Sequence, residues 1–255
     1  MGVEFSWPPL QTRIVHLSET GSTNTVAMQI AQEGGPTGAW VVADKQTAGR
    51  GRSGRAWVSR PGNLHASLVL RNVVPLEKAA QLALVSGVAL HAALSLICAE
   101  EPGMRLELKW PNDILLDRRK LGGILVESSI SGREQGALAI VGIGLNLAHD
   151  PEDPEIAATS LALHGIAVAP LNFLPSLDVT MQEWISKWAS GEGFDAVREA
   201  WLERSLPLGT GLSVNSGQGI VRGSFSGLAP DGALIITSPS GTEQTVKFGD
   251  VALAP

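Results

Sequence analysis

Three arginines interleaved with three glycines stand in Gly49-Arg50-Gly51-Arg52-Ser53-Gly54-Arg55, and residues 45–60 hold five basic side chains and no acid. Glycines let backbone N–H groups turn toward an anion, and a guanidinium offers paired donors to phosphate or carboxylate oxygens. In a chain of net charge −6, such a concentration reads as an anion-binding loop rather than a solvated one. Two familiar phosphate motifs overlap it, and neither applies. Gly49-x-Gly51-x-x-Gly54 has the dinucleotide spacing, but Pro61-Gly62 breaks the chain before the helix that gives that spacing its meaning. Gly49-x4-Gly54 opens a Walker A pattern, yet Arg55-Ala56 stands where Lys and Ser/Thr are required.

Other segments could carry chemistry. Ser22-Thr23-Asn24 sits where a helix should begin, beside free backbone N–H groups. An ordinary N-cap explains one such hydroxyl well and three consecutive polar groups less well, so by this segment alone both readings stay open. In Lys109-Trp110-Pro111-Asn112-Asp113 the lysine ends an apolar strand before a tight turn. If desolvated there, its charge acts strongly on whatever approaches; a lysine snorkelling to the surface is the alternative. Glycines crowd the strands at 120–127 (KLGGILVE) and 141–146 (VGIGLN). Glycine weakens a strand and marks either a ligand's close approach or an ordinary bulge. The five histidines show no metal-ligand spacing, so no metal site is expected. Neither Gly-x-Ser-x-Gly nor His-Glu-x-x-His occurs, which argues against the common hydrolase schemes.

The elements that must hold these residues follow from periodicity and turn residues. Strands are expected at 13–17, 40–43 and 64–70, with a turn at 18–21 and a helix from Ser22 or Thr23 to Gln32. Residues 44–60 read as a long polar loop, and 76–99 as an apolar core helix enclosing Cys98. Short strands and turns between 106 and 147, including a turn at 131–136, argue antiparallel pairing. Two amphipathic helices follow, the first with Leu174, Leu177, Met181, Trp184, Ile185 and Trp188 on one face, the second with Phe194, Val197 and Trp201. Leu206-Pro207-Leu208-Gly209 then marks a boundary before strand-like pieces with Gly, Ser, Pro and Asp turns. The expected architecture is α+β: a main domain, 1–205, and a small all-β tail read as a β-barrel, 206–255.

Composition sets the outer limits. The 255 residues are 44% hydrophobic and 17% charged, which excludes a disordered chain. An acidic pI near 5.4 argues against a nucleic-acid partner. One cysteine excludes a disulfide framework and fits a reducing cytosol. No apolar run of membrane-spanning length escapes interruption by Lys, Glu, His or Gly, so no membrane partner is expected. Met1 to Ser6 meets the loose myristoylation pattern, one permissive enough to arise by chance. A cytoplasmic protein is expected.

Taken in order, Ser22-Thr23-Asn24, Gln46-x-x-Gly49-Arg50-Gly51-Arg52-x-Gly54-Arg55-x-Trp57, Asn63-Leu64, Lys109-Trp110-Pro111-Asn112-Asp113, Lys120 to Glu127 and Gly142-Ile143-Gly144-Leu145-Asn146 resemble the biotin protein ligases. The resemblance covers residues 10 to 255. It implies a mixed α/β catalytic domain with a C-terminal SH3-like barrel. It also implies ATP-dependent biotinylation of one lysine on a biotin carboxyl carrier protein, as in acetyl-CoA carboxylase, through biotinyl-5′-AMP and with Mg²⁺. Lys109 and Arg52 would be catalytic. Biotin would meet Ser22, Thr23, Asn24 and Gln46, the loop residues Gly49, Arg50, Gly51 and Arg52, then Lys109, with Gly123, Gly142 and Gly144 letting it approach the sheet. Arg52, Arg55, Trp57, Asn112, Lys120 and Asn146 would face ATP, Trp57 packing over the site when the loop closes. The resemblance implies the monofunctional type without a DNA-binding domain, and leaves a homodimer open. His65 stands where some members carry an aromatic, which leaves that wall of the biotin pocket open. A lipoate or octanoate ligase or transferase of the same superfamily is the rival reading; the Gly-Arg-Gly-Arg loop favours biotin.

Overall fold

The computed structural model describes residues 7–99, 103–130, 137–152, 157–217 and 219–254. The myristoylation pattern and the turn at 131–136 lie outside them. β1 (Ile14–Thr20), α1 (Thr23–Gln32) and β2 (Trp40–Gln46) form a β–α–β unit with the two strands parallel. β3 (Leu64–Val74) returns antiparallel, and α2 (Leu82–Cys98) follows a helical turn at Leu76–Gln81. β4 (Leu106–Lys109), β5 (Asp113–Leu116), β6 (Arg119–Ile130) and β7 (Ala137–Leu145) then pair antiparallel. The sheet order is β1-β2-β3-β7-β6-β5-β4.

β1, β2 and β3 each extend further than their sequence pattern implies. Ser18, Glu19 and Thr20, expected in a turn, continue β1, because pairing with β2 runs on to Thr20 opposite Gln46. Gln46 therefore ends a strand instead of lying in a loop.

Alternation along the strands divides the sheet into two faces. Leu64, Ala66, Leu68 and Leu70 of β3 and Val141, Ile143 and Leu145 of β7 pack toward α2 in the main core. On the other face, Val69, Leu138 and Ile140 pack under Ala27 and Ala31 of α1. That apolar stripe stops where α1 begins, and the next two residues of the same stripe are Gly142 and Gly144. The sheet is bare of side chains there, and the cavity described below opens over it.

The stretch Leu76–Cys98 is 23 residues long with mean hydropathy 1.8, so by length and composition alone it qualifies to cross a membrane. The expected interruptions at Lys78, Gly87 and His91 do not break it. Two-thirds of its most apolar window is buried inside the protein, where it packs on α3 (Pro170–Trp188) and α4 (Phe194–Glu203) as the central core helix. The amphipathic faces expected of α3 and α4 are buried against it. One buried polar knot ties α3 to the first strands: Asp178 accepts from Arg13 Nη2 at 2.8 Å and from Trp40 Nε1 at 2.7 Å.

The C-terminal part is a five-stranded antiparallel sheet of β8 (Gly211–Asn215), β9 (Ile220–Leu228), β10 (Leu234–Thr237), β11 (Glu243–Val246) and β12 (Asp250–Leu253), ordered β11-β10-β9-β8-β12. Its inward residues Leu212, Phe225 and Leu234 join the main core. Trp110 Nε1 donates to Gly232 O at 3.0 Å, fastening it beside the β4–β5 turn. β12 is thereby brought to the rim of the bare sheet.

Candidate active site

A cavity of about 410 Å³ opens over Gly142 and Gly144, walled by several separate parts of the chain. On one side the first turn of α1 presents Ser22, Thr23 and Asn24, each only 4% exposed. Ser22 has cap geometry but makes no side-chain capping bond, so its hydroxyl is spared for the cavity. Gln46 Oε1 accepts from Thr23 N at 2.8 Å and Thr23 Oγ1 at 3.1 Å, while Ser67 Oγ donates to Asn24 Oδ1 at 2.6 Å. Asn24 Nδ2 donates to Glu127 Oε2 at 2.7 Å. These short side chains form a rigid polar cage.

The floor depends on glycine for particular steric reasons. A Cβ on Gly142 would lie 2.3 Å from Asn24 Oδ1, and one on Gly144 would lie 2.4 Å from Trp57 Cε2. Both glycines therefore make room for side chains of the protein itself. Gly123 faces Gly144 across the ladder, yet a Cβ there would meet Lys120 and Asp113 only at ordinary contact distances of 3.4–3.5 Å.

Two lysines converge on one carboxylate at the far end. Lys109 Nζ lies 2.8 Å from Asp113 Oδ2, and Lys120 Nζ lies 2.6 Å from Oδ1. Lys109 also donates to Val251 O of β12 at 3.0 Å, and its side chain is 15% exposed. It is desolvated, not snorkelling. Burial alone would raise the Asp113 pKa, but Lys120 and Lys109 outweigh it and hold the carboxyl below its ordinary value. Both lysines thus stand as fixed positive charge over the floor.

Loop 49–55 covers the top. Ser53 and Gly54 take positive φ (55° and 75°), which folds the loop on itself, with Gly51 N donating to Arg55 O at 2.7 Å. Arg50 reaches Glu127 at 3.2 Å, Arg52 Nη1 donates to Asn112 Oδ1 at 3.3 Å, and Arg55 meets Asp250 at 2.5 Å. Burial lowers the Arg52 pKa, against the raising effect of Asp250 and Asp113. Trp57 lies over Gly144 with Lys120 Nζ 5.8 Å from its ring centroid, and its Nε1 is buried without a partner. Asn146 stands behind Lys120 with its Nδ2 on Thr159 O at 3.0 Å.

The structure brings the sequence-derived site residues together around this cavity, Gly49 excepted. Gly49 shapes the loop from behind: a Cβ would lie 2.8 Å from Trp57 O. Asn112 lines the cavity, but its amide is committed to Ile124 O at 2.6 Å and to Arg52. Among the described residues no group of three or more His, Cys, Asp or Glu is placed to hold a metal ion.

The chain matches the sequence profile of the Biotin/lipoate A/B protein ligase family over residues 18–146, which span the cage, the loop and both lysines. The chain belongs to that family. Residues 212–253 match the Biotin protein ligase C terminal domain. A biotin--[acetyl-CoA-carboxylase] ligase of Paracoccus denitrificans is 41% identical over 89% of this chain and 95% of its own length. A solved biotin protein ligase from Aquifex aeolicus, in complex with biotin and ATP, superposes with a TM-score of 0.80 at 28% identity, covering 95% of this chain and 99% of that one. One from Leishmania major, in complex with biotinyl-5-AMP, gives 0.66 at 26% identity, covering 95% and 100%.

Four residues of this family member's site do not stand out in the sequence. Asp113 ends the Lys109 motif, and an acid four residues after a lysine across a hairpin turn is a legible pairing signal. Glu127 and Ser67 lie on strand positions whose face only the sheet register reveals. Asp250 carries no local signal at all. His65 lies opposite Gly144 in the ladder, is 1% exposed and does not line the cavity. Burial lowers its pKa, against a bond to Arg60 O at 3.3 Å. The unfolded chain therefore binds the proton more readily, and this contribution to stability falls as pH drops through about 6.5. The melting temperature is expected to decline as pH falls below about 6.5, and His65→Phe to flatten that slope. Equal slopes in parallel thermal melts would remove His65 as a source.

Proposed function

We propose that this chain is a biotin–protein ligase that activates biotin with ATP and passes it to a lysine of a biotin carboxyl carrier protein. The observation that carries the reading is the polar cage and the two-lysine clamp meeting beneath an arginine loop in one cavity. A biotin carboxylate oxygen attacks the α-phosphorus of ATP, pyrophosphate leaves, and biotinyl-5′-AMP forms. The acceptor lysine's neutral ε-amine then attacks the acyl carbon, AMP leaves with the bonding pair, and the nitrogen releases one proton to solvent.

The reactants are both anions, so the chain must lower their repulsion and hold them in line. Ser22, Thr23 and Gln46 bind the ureido ring, with Asn24 beside them. Lys109 bridges the carboxylate and an α-phosphate oxygen, and Arg50 and Arg52 face the same oxygens. Lys120, Arg55, Asn112 and Asn146 lie on the nucleotide side, with Trp57 covering it. Asp113 positions the two lysines. The covered site keeps water from the mixed anhydride. The ATP phosphates would supply the oxygen ligands that Mg²⁺ prefers, and the ion would offset their negative charge. Residues 1–205 act as the catalytic domain, and 206–255 complete its rim. The reaction needs neither nucleic acid nor membrane, and we place it in the cytoplasm.

The pure protein is expected to catalyse biotin-dependent ATP–pyrophosphate exchange and to label a carrier domain with biotin. A carrier labelled with lipoate but not with biotin would assign the chain to the lipoate branch.

A further inference from the structure

The cations over the cavity are paired with carboxylates of the protein, and these carboxylates differ in what else they hold. Glu127 also binds Asn24, and Asp113 lies between two lysines. Asp250 serves the arginine loop alone. Among the described residues its carboxylate faces Arg55 at 2.5 Å and Arg52 at 4.0 Å, both in that loop. It stands at the start of β12, on the other sheet, and the preceding carbonyl, Gly249 O, accepts from Arg52 Nη2 at 3.2 Å. The loop is thus moored to the C-terminal sheet through the very groups that would bind phosphate.

We propose that Asp250 is an internal counter-ion that occupies the anion position of the arginine loop until a nucleotide phosphate replaces it, and so sets the affinity for MgATP. The inference rests on the function proposed above. Carboxylate and phosphate oxygens compete for the same guanidinium donors. The Asp250 side chain is 37% exposed and that of Arg55 62%, so the pair is partly wet and exchanges readily. Glu127 and Asp113 stay in place on their other contacts while Asp250 swings out to solvent. Asp250 is a positioning residue: it acts through the arginines and touches no reacting atom.

Asp250→Asn keeps the side chain's shape and the β12 pairing with Asn215, and removes only the charge. Its KM for MgATP in biotin-dependent exchange is expected to fall about threefold, the scale of a partly exposed ion pair. The KM for biotin stays constant, and Asp250→Glu restores the wild-type value. General damage to the fold would raise both constants instead. Brief trypsin digestion without ligand should cut Asp250→Asn faster than wild type between residues 50 and 55, and biotin with MgATP should protect both. An unchanged or raised KM for MgATP overturns the proposal, as does equal cleavage of the ligand-free proteins. If the wild-type protein shows no biotin-dependent exchange, the proposed function fails instead. Digestion with inorganic pyrophosphate alone still decides the mooring, since protection should then be stronger in Asp250→Asn.

Discussion

Lys109→Ala is expected to slow formation of biotinyl-adenylate by on the order of 10²–10³, the scale of losing one preorganised electrostatic donor. Lys109 Nζ is held from two sides, by Asp113 and by Val251 O, so it does not reorganise when charge develops. Its low exposure strengthens its field at the reacting oxygens. Among the described residues, removing it leaves Lys120 as the one lysine paired with Asp113, and this second lysine is then drawn toward that carboxylate and away from phosphate. Single-turnover assays read the first step directly, and transfer from supplied biotinyl-AMP reads the second. A variant with full activity in both would take Lys109 out of the mechanism.

The two floor glycines are expected to respond very differently to the same added methyl group. Gly142→Ala puts a Cβ 2.3 Å from Asn24 Oδ1, and Asn24 is pinned by Ser67 and Glu127. It cannot give way without breaking the cage, so the KM for biotin should rise about 10- to 100-fold, the range of overpacking a rigid site. Gly144→Ala meets the Trp57 ring at 2.4 Å, but that ring sits on a loop and its Nε1 has no partner to lose. The loop can shift, and the effect on biotin should stay below about tenfold. Titrating biotin at saturating MgATP for both variants checks the order. Equal rises would mean that the cage is no more rigid than the loop.

Much of this site is legible because its chemistry is written in contiguous motifs. A basic, glycine-rich loop stands out in an acidic chain, and Ser22-Thr23-Asn24 at a helix start stands out as either a polar site or a cap. Hydrophobic alternation likewise marks most strands, since burying one sheet face requires period two. Strand ends are less legible: β1 extends to Thr20 because a parallel neighbour continues beside it, a non-local cause. Composition does not separate core from membrane for the apolar stretch 76–98; packing against α3 and α4 decides it.

The amino-acid sequence by itself determined the family, the basic glycine-rich loop, the lysine at the strand end and the two-part architecture, because each rests on residues close along the chain. Only the tertiary structure decided which groups meet. It set Lys109 and Lys120 on one Asp113 through the β4–β5–β6 hairpins, showed that Gly142 makes room for Asn24, and carried Asp250 across from the second sheet to the arginines. The physical reason is range: capping, turns and alternation act over a few residues, whereas Arg55 and Asp250 are separated by 195 positions. The ties between the C-terminal sheet and the β4–β5 region, Lys109 to Val251 O and Trp110 to Gly232 O, bring those two charges within reach.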